Sequence, residues 1–320
     1  MMEEGELCFP QLLNSSCRRL ELPHTELMLY YVVLSCLSGL TALLNLLVII
    51  SLSHFRQLHT PTNLLLLSLA VSDFLVGLLL FFQILLIDGC WYFGDIVCTQ
   101  YQYLAYFITS ASIGTMVLIS VDRYVAICYP LHYSTHVTAD RARLCICLCW
   151  ICSWIFQILI LKDNLQQPGR FNSCVGECVF VVNNTATYTD LIFSFILPIT
   201  VIVVLYVRVF IVAVSQSRAM RLHVGASAVK SSAFAKTSQI KAAKTLGVVV
   251  IVFLMCMCPF YCVSLAGQQT AQHFVVSLFY VNSCLNPVFY VFFYPWFRKS
   301  IKLIFTLQIL NRHSCDINLL

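Results

Sequence analysis

Four charged side chains stand inside long apolar runs of this chain: Asp73, Asp122 with its neighbour Arg123, and Asp190. A charge at bilayer depth is costly unless it is paired or faces a cavity, so each is a candidate for function. Asp190 precedes Pro198 by eight residues, a rise of about 12 Å on a regular helix. Thr187 and Ser194, three residues before it and four after, share its face and give an apolar helix a short polar stripe. A carboxylate so placed, reachable from outside, suits a cationic ligand; the alternative is an interfacial Asp snorkelling at a helix end. Asp73 lies deeper and could meet Ser112, Asn282 and Asn286, either to trap a sodium ion or to form a hydrogen-bond network of structural use. Between Lys244 and Arg298 no Asp, Glu, Lys or Arg occurs. That gap removes the lysine a retinal Schiff base needs and the carboxylates a proton relay needs. No nucleophile–base pair and no His/Cys set at metal-ligand spacing is visible, so neither an enzyme nor a metal centre is expected.

The elements that hold these groups follow from composition. Of 320 residues 60% are hydrophobic and 10% charged, with a mean hydropathy of +0.85; a soluble domain carries about 25% charge, so a soluble enzyme is excluded. Apolar runs near 27–52, 62–87, 97–128, 144–161, 188–214, 245–266 and 274–294 predict seven helices, each closing its own hydrogen bonds in lipid. Pro198, Pro259 and Pro287 fall inside the last three and predict bends there. The net charge of +5 does not indicate nucleic acid, because the basic residues sit between apolar runs and not on one face. The connection from Arg208 to Lys244 holds seven basic residues and no acid, which places it on the cytoplasmic side and the acidic N-terminus outside. Residues 1–26 are polar, so the first helix is expected to direct insertion itself. Asn14 and Asn183 open outward-facing glycosylation sequons. Cys98, at the outer end of the third run, faces Cys174 and Cys178 in the outer loop, so a disulfide from that loop to the third helix is expected. The remaining cysteines lie mostly in apolar runs, where a thiol packs as a small hydrophobe.

Asp122-Arg123-Tyr124 closes the third run, Asn286-Pro287 with Tyr290 stands in the seventh, Trp150 in the fourth, Asp73 in the second and Asn45 in the first. With these the chain, over residues 27–305, resembles the rhodopsin-like G protein-coupled receptors. Asn282-Ser283-Cys284-Leu285-Asn286-Pro287-Val288-Phe289-Tyr290, followed by Tyr294, Trp296 and Phe297, is similar to the fingerprint of the trace amine-associated receptors. So are Cys8-Phe9-Pro10 with Asn14 and Cys17, and the run from His59 to Val76.

The resemblance implies an all-α seven-helix membrane bundle, N-terminus out and C-terminus in: an extracellular segment 1–26, a receptor domain 27–295, and a short amphipathic helix with a tail over 296–320. It implies a small amine as ligand and a stimulatory G protein raising cyclic AMP. Membrane lipid is the surroundings, and the location is the plasma membrane, with the cilia of olfactory neurons as the family's usual site. The family's usual amine anchor lies eighteen residues before Arg123, where this chain has Ala105; Asp190 occupies the position at which a fish-type branch carries its acid. The pocket lining implied is Tyr106, Thr109, Thr187, Ser194, Phe260, Tyr261, Val276 and Tyr280. The activation set is Asp122, Arg123, Tyr124, Tyr206, Phe253, Met257, Asn286, Pro287 and Tyr290. Met257 replaces the family's sixth-helix tryptophan in Cys256-Met257-Cys258-Pro259, which leaves Phe253 and the flexible thioether to carry switching. The disulfides implied are Cys98–Cys178 and Cys174 to Cys17 or Cys8, and Cys315 is a candidate for acylation. A second ammonium would need a second acid, for which the outer rim offers only Asp88, Asp163 and Glu177, so a monoamine is expected.

Overall fold

The computed structural model describes residues 6–20, 23–222, 247–248, 250–263, 272–311 and 314–319. The first three spans are α1 (His24–His54), α2 (Pro61–Leu85) and α3 (Gly94–Cys128). A short α4 (Pro130–His136) leads to the fourth span, α5 (Ala139–Ile160), and α6 (Lys162–Gln166) follows it. The fifth span is composite: α7 (Asn184–Asp190), a π turn over Leu191–Ile196, and α8 (Leu197–Leu222). The sixth is described as α9 (Val250–Val263), the seventh is α10 (Gln272–Phe293), and α11 (Pro295–Phe305) runs on from it.

Helix starts are set by caps that a hydropathy scan does not see. Pro61 opens α2 behind Thr60, whose hydroxyl accepts from the Asn63 N–H at 3.3 Å. Thr138 does the same for Arg141 at 3.4 Å, and Asp140 sits in the first turn, where the helix dipole favours an acid. The fourth span therefore begins at Ala139, five residues before the apolar run expected from 144. In the fifth span Asn183 accepts from the Ala186 N–H at 2.8 Å. The chain is not a regular helix from there to Pro198, as the simple rise assumed: a ring without an N–H leaves the Ser194 carbonyl unserved, and the wider turn over Leu191–Ile196 absorbs the mismatch.

Two apolar clusters fill the bundle. The inner one joins Val48, Leu52 and Phe55 of the first span and its loop to Leu66, Ile113, Met116, Phe253 and Phe297. The outer one joins Leu80, Trp91, Cys98, Tyr101 and Tyr280. α2 and α3 are central, while α5 and α8 expose Leu148, Ile151, Leu159, Val204 and Phe210 outward. In water that surface would aggregate; in a bilayer it is the lipid face. α11 is amphipathic, with Trp296, Phe297 and Ser300 buried and Arg298 and Lys299 exposed. Ser300 Oγ donates to Ser51 Oγ at 2.9 Å, tying α11 to the inner end of α1. The tail returns to the same corner, with His54 Nε2 at 2.9 Å from Ser314 Oγ and Leu319 buried in the inner cluster. Cys315, the acylation candidate, is half-buried there with its thiol free.

Three disulfides bind the extracellular side: Cys98–Cys178, Cys17–Cys174 and Cys8–Cys90. The sequence reading gives Cys90 no partner. The N-terminal segment lies along the outer loop, with Cys17 N–H donating to the Val175 carbonyl at 2.9 Å and Val175 N–H to the Ser15 carbonyl at 2.7 Å.

Candidate functional site

Asp190 closes α7, just above the π turn, and is half-buried. Its Oδ1 accepts from Ser194 Oγ at 2.7 Å and from Gln157 Nε2 at 3.0 Å, and Gln157 Nε2 stands 3.5 Å from Ser194 Oγ. Ser194 and Gln157 are 6% and 1% exposed, so a carboxylate on the fifth span is tied by buried groups to the fourth. Gln157 was not among the residues expected at the site. Its signal is an isolated amide in the apolar fourth run, easily read as packing.

Tyr106 of α3 and Tyr261 of α9 both lie within the electrostatic reach of Asp190 and of each other. Tyr106 stacks on Phe180 of the outer loop, ring centroids 6.0 Å apart. Tyr261 stacks on Phe195 at 3.8 Å and meets Phe260 edge-on at 5.3 Å; Phe260 in turn lies 5.7 Å from Phe279. An aromatic chain thus joins the fifth, sixth and seventh spans beside the carboxylate. Thr109 is half-buried one turn further along α3. Tyr280 is packed in the outer cluster. Thr187 is not drawn to Asp190: its hydroxyl donates to the Asn183 carbonyl at 3.1 Å, one turn back. Val276 and Tyr290 lie on α10 with their side chains outside the described residues.

Two of the three rim acids, Asp88 and Glu177, have partners of their own. Asp88 Oδ1 accepts from the Cys90 N–H at 3.1 Å, and its Oδ2 lies 3.7 Å from Arg19 Nε. Glu177 accepts from the Ser173 N–H and hydroxyl at 2.6 and 2.8 Å.

Deeper in the bundle Asp73 is fully buried. Its Oδ2 accepts from Asn286 Nδ2 at 2.7 Å and Ser283 stands beside the carboxylate, while among the described residues no hydrogen bond is found to its Oδ1 or to the buried Asn282 Oδ1. Ser112 is buried on α3.

At the cytoplasmic end Arg123 is paired with Asp122, Nε to Oδ2 at 2.9 Å, and also meets Thr62. Asp122 Oδ2 accepts from Thr62 Oγ1 at 2.8 Å and Oδ1 from Tyr133 Oη at 2.8 Å. Burial, with the Asp122 carboxylate beside it, holds the Tyr133 phenol above its ordinary pKa, so it stays a donor. Tyr124 faces the other way, its ring 5.9 Å from Tyr129. Tyr206 on α8 has its hydroxyl buried, with Ser120 of α3 as its polar neighbour. Phe253 and Met257 are 0% and 4% exposed inside the inner cluster, the thioether filling the place where the resemblance expects an indole.

Comparison with known proteins gives one consistent result. A family model described as the 7 transmembrane receptor (rhodopsin family) matches residues 44–290. The chain is 36% identical to trace amine-associated receptor 13c of Danio rerio over 334 residues, covering 99% of this chain and 97% of that one. It is 36% identical to trace amine-associated receptor 7a of Mus musculus over 332 residues, 98% of this chain and 92% of that one. To trace amine-associated receptor 6 of Homo sapiens it is 34% identical over 332 residues, 98% and 95% of the two chains.

Proposed function

The chain belongs to the rhodopsin family of seven-transmembrane receptors and within it to the trace amine-associated receptors, and on that premise we propose that it senses a protonated monoamine through Asp190 and signals through a stimulatory G protein to cyclic AMP. As a member of that family it is a multi-pass receptor of the plasma membrane and not an enzyme. The observation that carries the proposal is the half-loaded carboxylate: Asp190 Oδ1 holds two donors, while among the described residues no hydrogen bond reaches Oδ2. An alkylammonium keeps its charge at neutral pH, as lysine does, and Oδ2 is the acceptor open to it. Tyr106, Tyr261 and Phe195 offer ring faces to the cation or to an aryl body, each contact worth about 0.5–2 kcal/mol. At the rim Asp88 and Glu177 already hold partners, which leaves Asp163 as the acid that a second ammonium would have to reach, and a single ammonium is proposed.

A ligand shifts a two-state receptor only by its differential affinity for the states. Binding at Asp190 acts on the fifth span, and Phe195, one turn and a residue below, passes the change to Tyr261 on the sixth through their stack. Pro259 lets that helix pivot, with Met257 and Phe253 moving in the inner cluster beneath it. Release of Arg123 from Asp122, with Tyr206 and Tyr290 closing in below, then opens the cytoplasmic cleft to a G protein helix. The Asp73 cluster is the place for a sodium ion, held by Asp73 and Asn282 with Ser112 and Asn286 beside them. Such an ion supplies the positive charge that a buried carboxylate lacks. Outside, Asn14 and Asn183 are the glycan acceptors, and the cilia of olfactory neurons are the proposed site of action.

The reading is tested in cells reporting cyclic AMP, with panels of amines, esters and acids applied to wild type and to Asp190→Asn. Losing one partner of a buried charge pair costs about 2–5 kcal/mol, roughly thirty-fold to several thousand-fold in affinity. Amines are expected to activate the wild type, and Asp190→Asn to lose that response while still reaching the surface. Activation by esters or acids alone, or an unchanged amine response in the variant, would make Asp190 a structural residue in a receptor for another odorant.

A further inference from the structure

We propose that Gln157 is a specificity-determining residue of the amine site, and that it makes the receptor count the N–H bonds on its ligand's nitrogen. The inference rests on the reading of Asp190 as the ammonium anchor and adds the partner that reads the cation's shape.

The amide is 1% exposed, on the fourth span, and its two ends do different things. Nε2 donates to Asp190 Oδ1 at 3.0 Å. That assignment is fixed by chemistry, because turning the amide would set its oxygen against a carboxylate oxygen. Oε1 is buried and, among the described residues, has no hydrogen-bond partner. A buried acceptor left unmade is a cost in the ligand-free receptor, and an incoming N–H removes it. Within this Asp–Gln pair the two acceptors that no hydrogen bond reaches among the described residues are thus Asp190 Oδ2 and the buried Gln157 Oε1, one charged and one neutral. A primary or secondary ammonium has an N–H for each. A tertiary ammonium has one, which the carboxylate takes, and the amide oxygen is then sealed under the ligand unpaired. A quaternary ammonium satisfies neither and is left with ring faces such as Tyr106 and Tyr261. A site that hydrogen-bonds its ligand discriminates strongly against analogues lacking the donor, because the unpaired protein group is carried into the complex.

Two amine series test this, one aryl and one alkyl: 2-phenylethylamine and hexylamine, each with its N-methyl, N,N-dimethyl and N,N,N-trimethyl derivatives. Potencies are read by cyclic AMP on wild type, Gln157→Met, Gln157→Leu and Asp190→Asn, with surface expression measured alongside. In wild type the step from secondary to tertiary amine is expected to lower potency about ten- to hundred-fold, the value of one hydrogen bond to a charged group. In Gln157→Met, of similar length without the amide, that step shrinks to within about threefold, because secondary amines lose potency and tertiary amines keep theirs. Gln157→Leu does the same where the Met variant fails to reach the surface. A step that persists in the Gln157 variants is steric and overturns the inference, as does a wild type with no step. If Asp190→Asn responds normally, or no member of either series activates the wild type, the anchor reading itself falls.

Discussion

Asp122 holds Arg123 with help from two sides, Thr62 of the second span and Tyr133 of the short helix behind the third. Each hydrogen bond to that carboxylate fixes the acceptor that, in the activation step proposed above, Arg123 leaves as the cytoplasmic cleft opens. Tyr133→Phe removes one bond of about 1 kcal/mol and is expected to raise ligand-free cyclic AMP signalling about fivefold per receptor at the surface; Asp122→Asn, which removes the charge, raises it further. Basal activity at or below wild type in both variants would show that the pair does not restrain the receptor. Much at this scale was legible in the sequence, because a carboxylate in an apolar run has few structural uses: Asp73, Asp122 and Asp190 each announce themselves by their cost. Neutral partners were harder to find. Ser194 was reachable from helical spacing, whereas Gln157 comes from another helix, and no local pattern says which way an isolated amide points. Thr187 had the right spacing and still turns back to its own helix, since a hydroxyl near a helix start finds a carbonyl one turn behind it.

Helix existence followed from the bilayer, which admits no other way to satisfy the backbone; helix beginnings did not. The charged first turn of α5 is invisible to hydropathy but held by Thr138 and Asp140. The π turn before Pro198 is a response to a missing N–H that a regular rise does not foresee. The outer cap shows the same limit, for Cys90 carries no mark that pairs it with Cys8 across a separation of 82 residues. A crosslink closing a loop of that length removes chain entropy worth up to about 4–5 kcal/mol. Cys8→Ala and Cys90→Ala are each expected to lower the thermal midpoint of purified receptor by several degrees, and the double variant by no more than either single one. Additive losses would mean that the two cysteines act separately.

Over the whole molecule, the charge asymmetry of the sequence predicts the orientation, the disulfides tie the N-terminal segment to the outer loops, and the apolar exteriors of α1, α5 and α8 face lipid. On the function proposed here, what makes this common architecture a particular receptor is one carboxylate on the fifth span with its neighbours, in place of one on the third, where Ala105 stands. The most direct measurement of that claim is a thermodynamic cycle between ligand charge and protein charge. It compares binding of an activating amine and of its uncharged alcohol isostere to purified wild type and Asp190→Asn. We expect a coupling of about 2 kcal/mol or more, roughly thirty-fold, with the amine weakened by the substitution and the alcohol nearly indifferent to it. Equal losses for amine and alcohol, or none for either, would contradict the account.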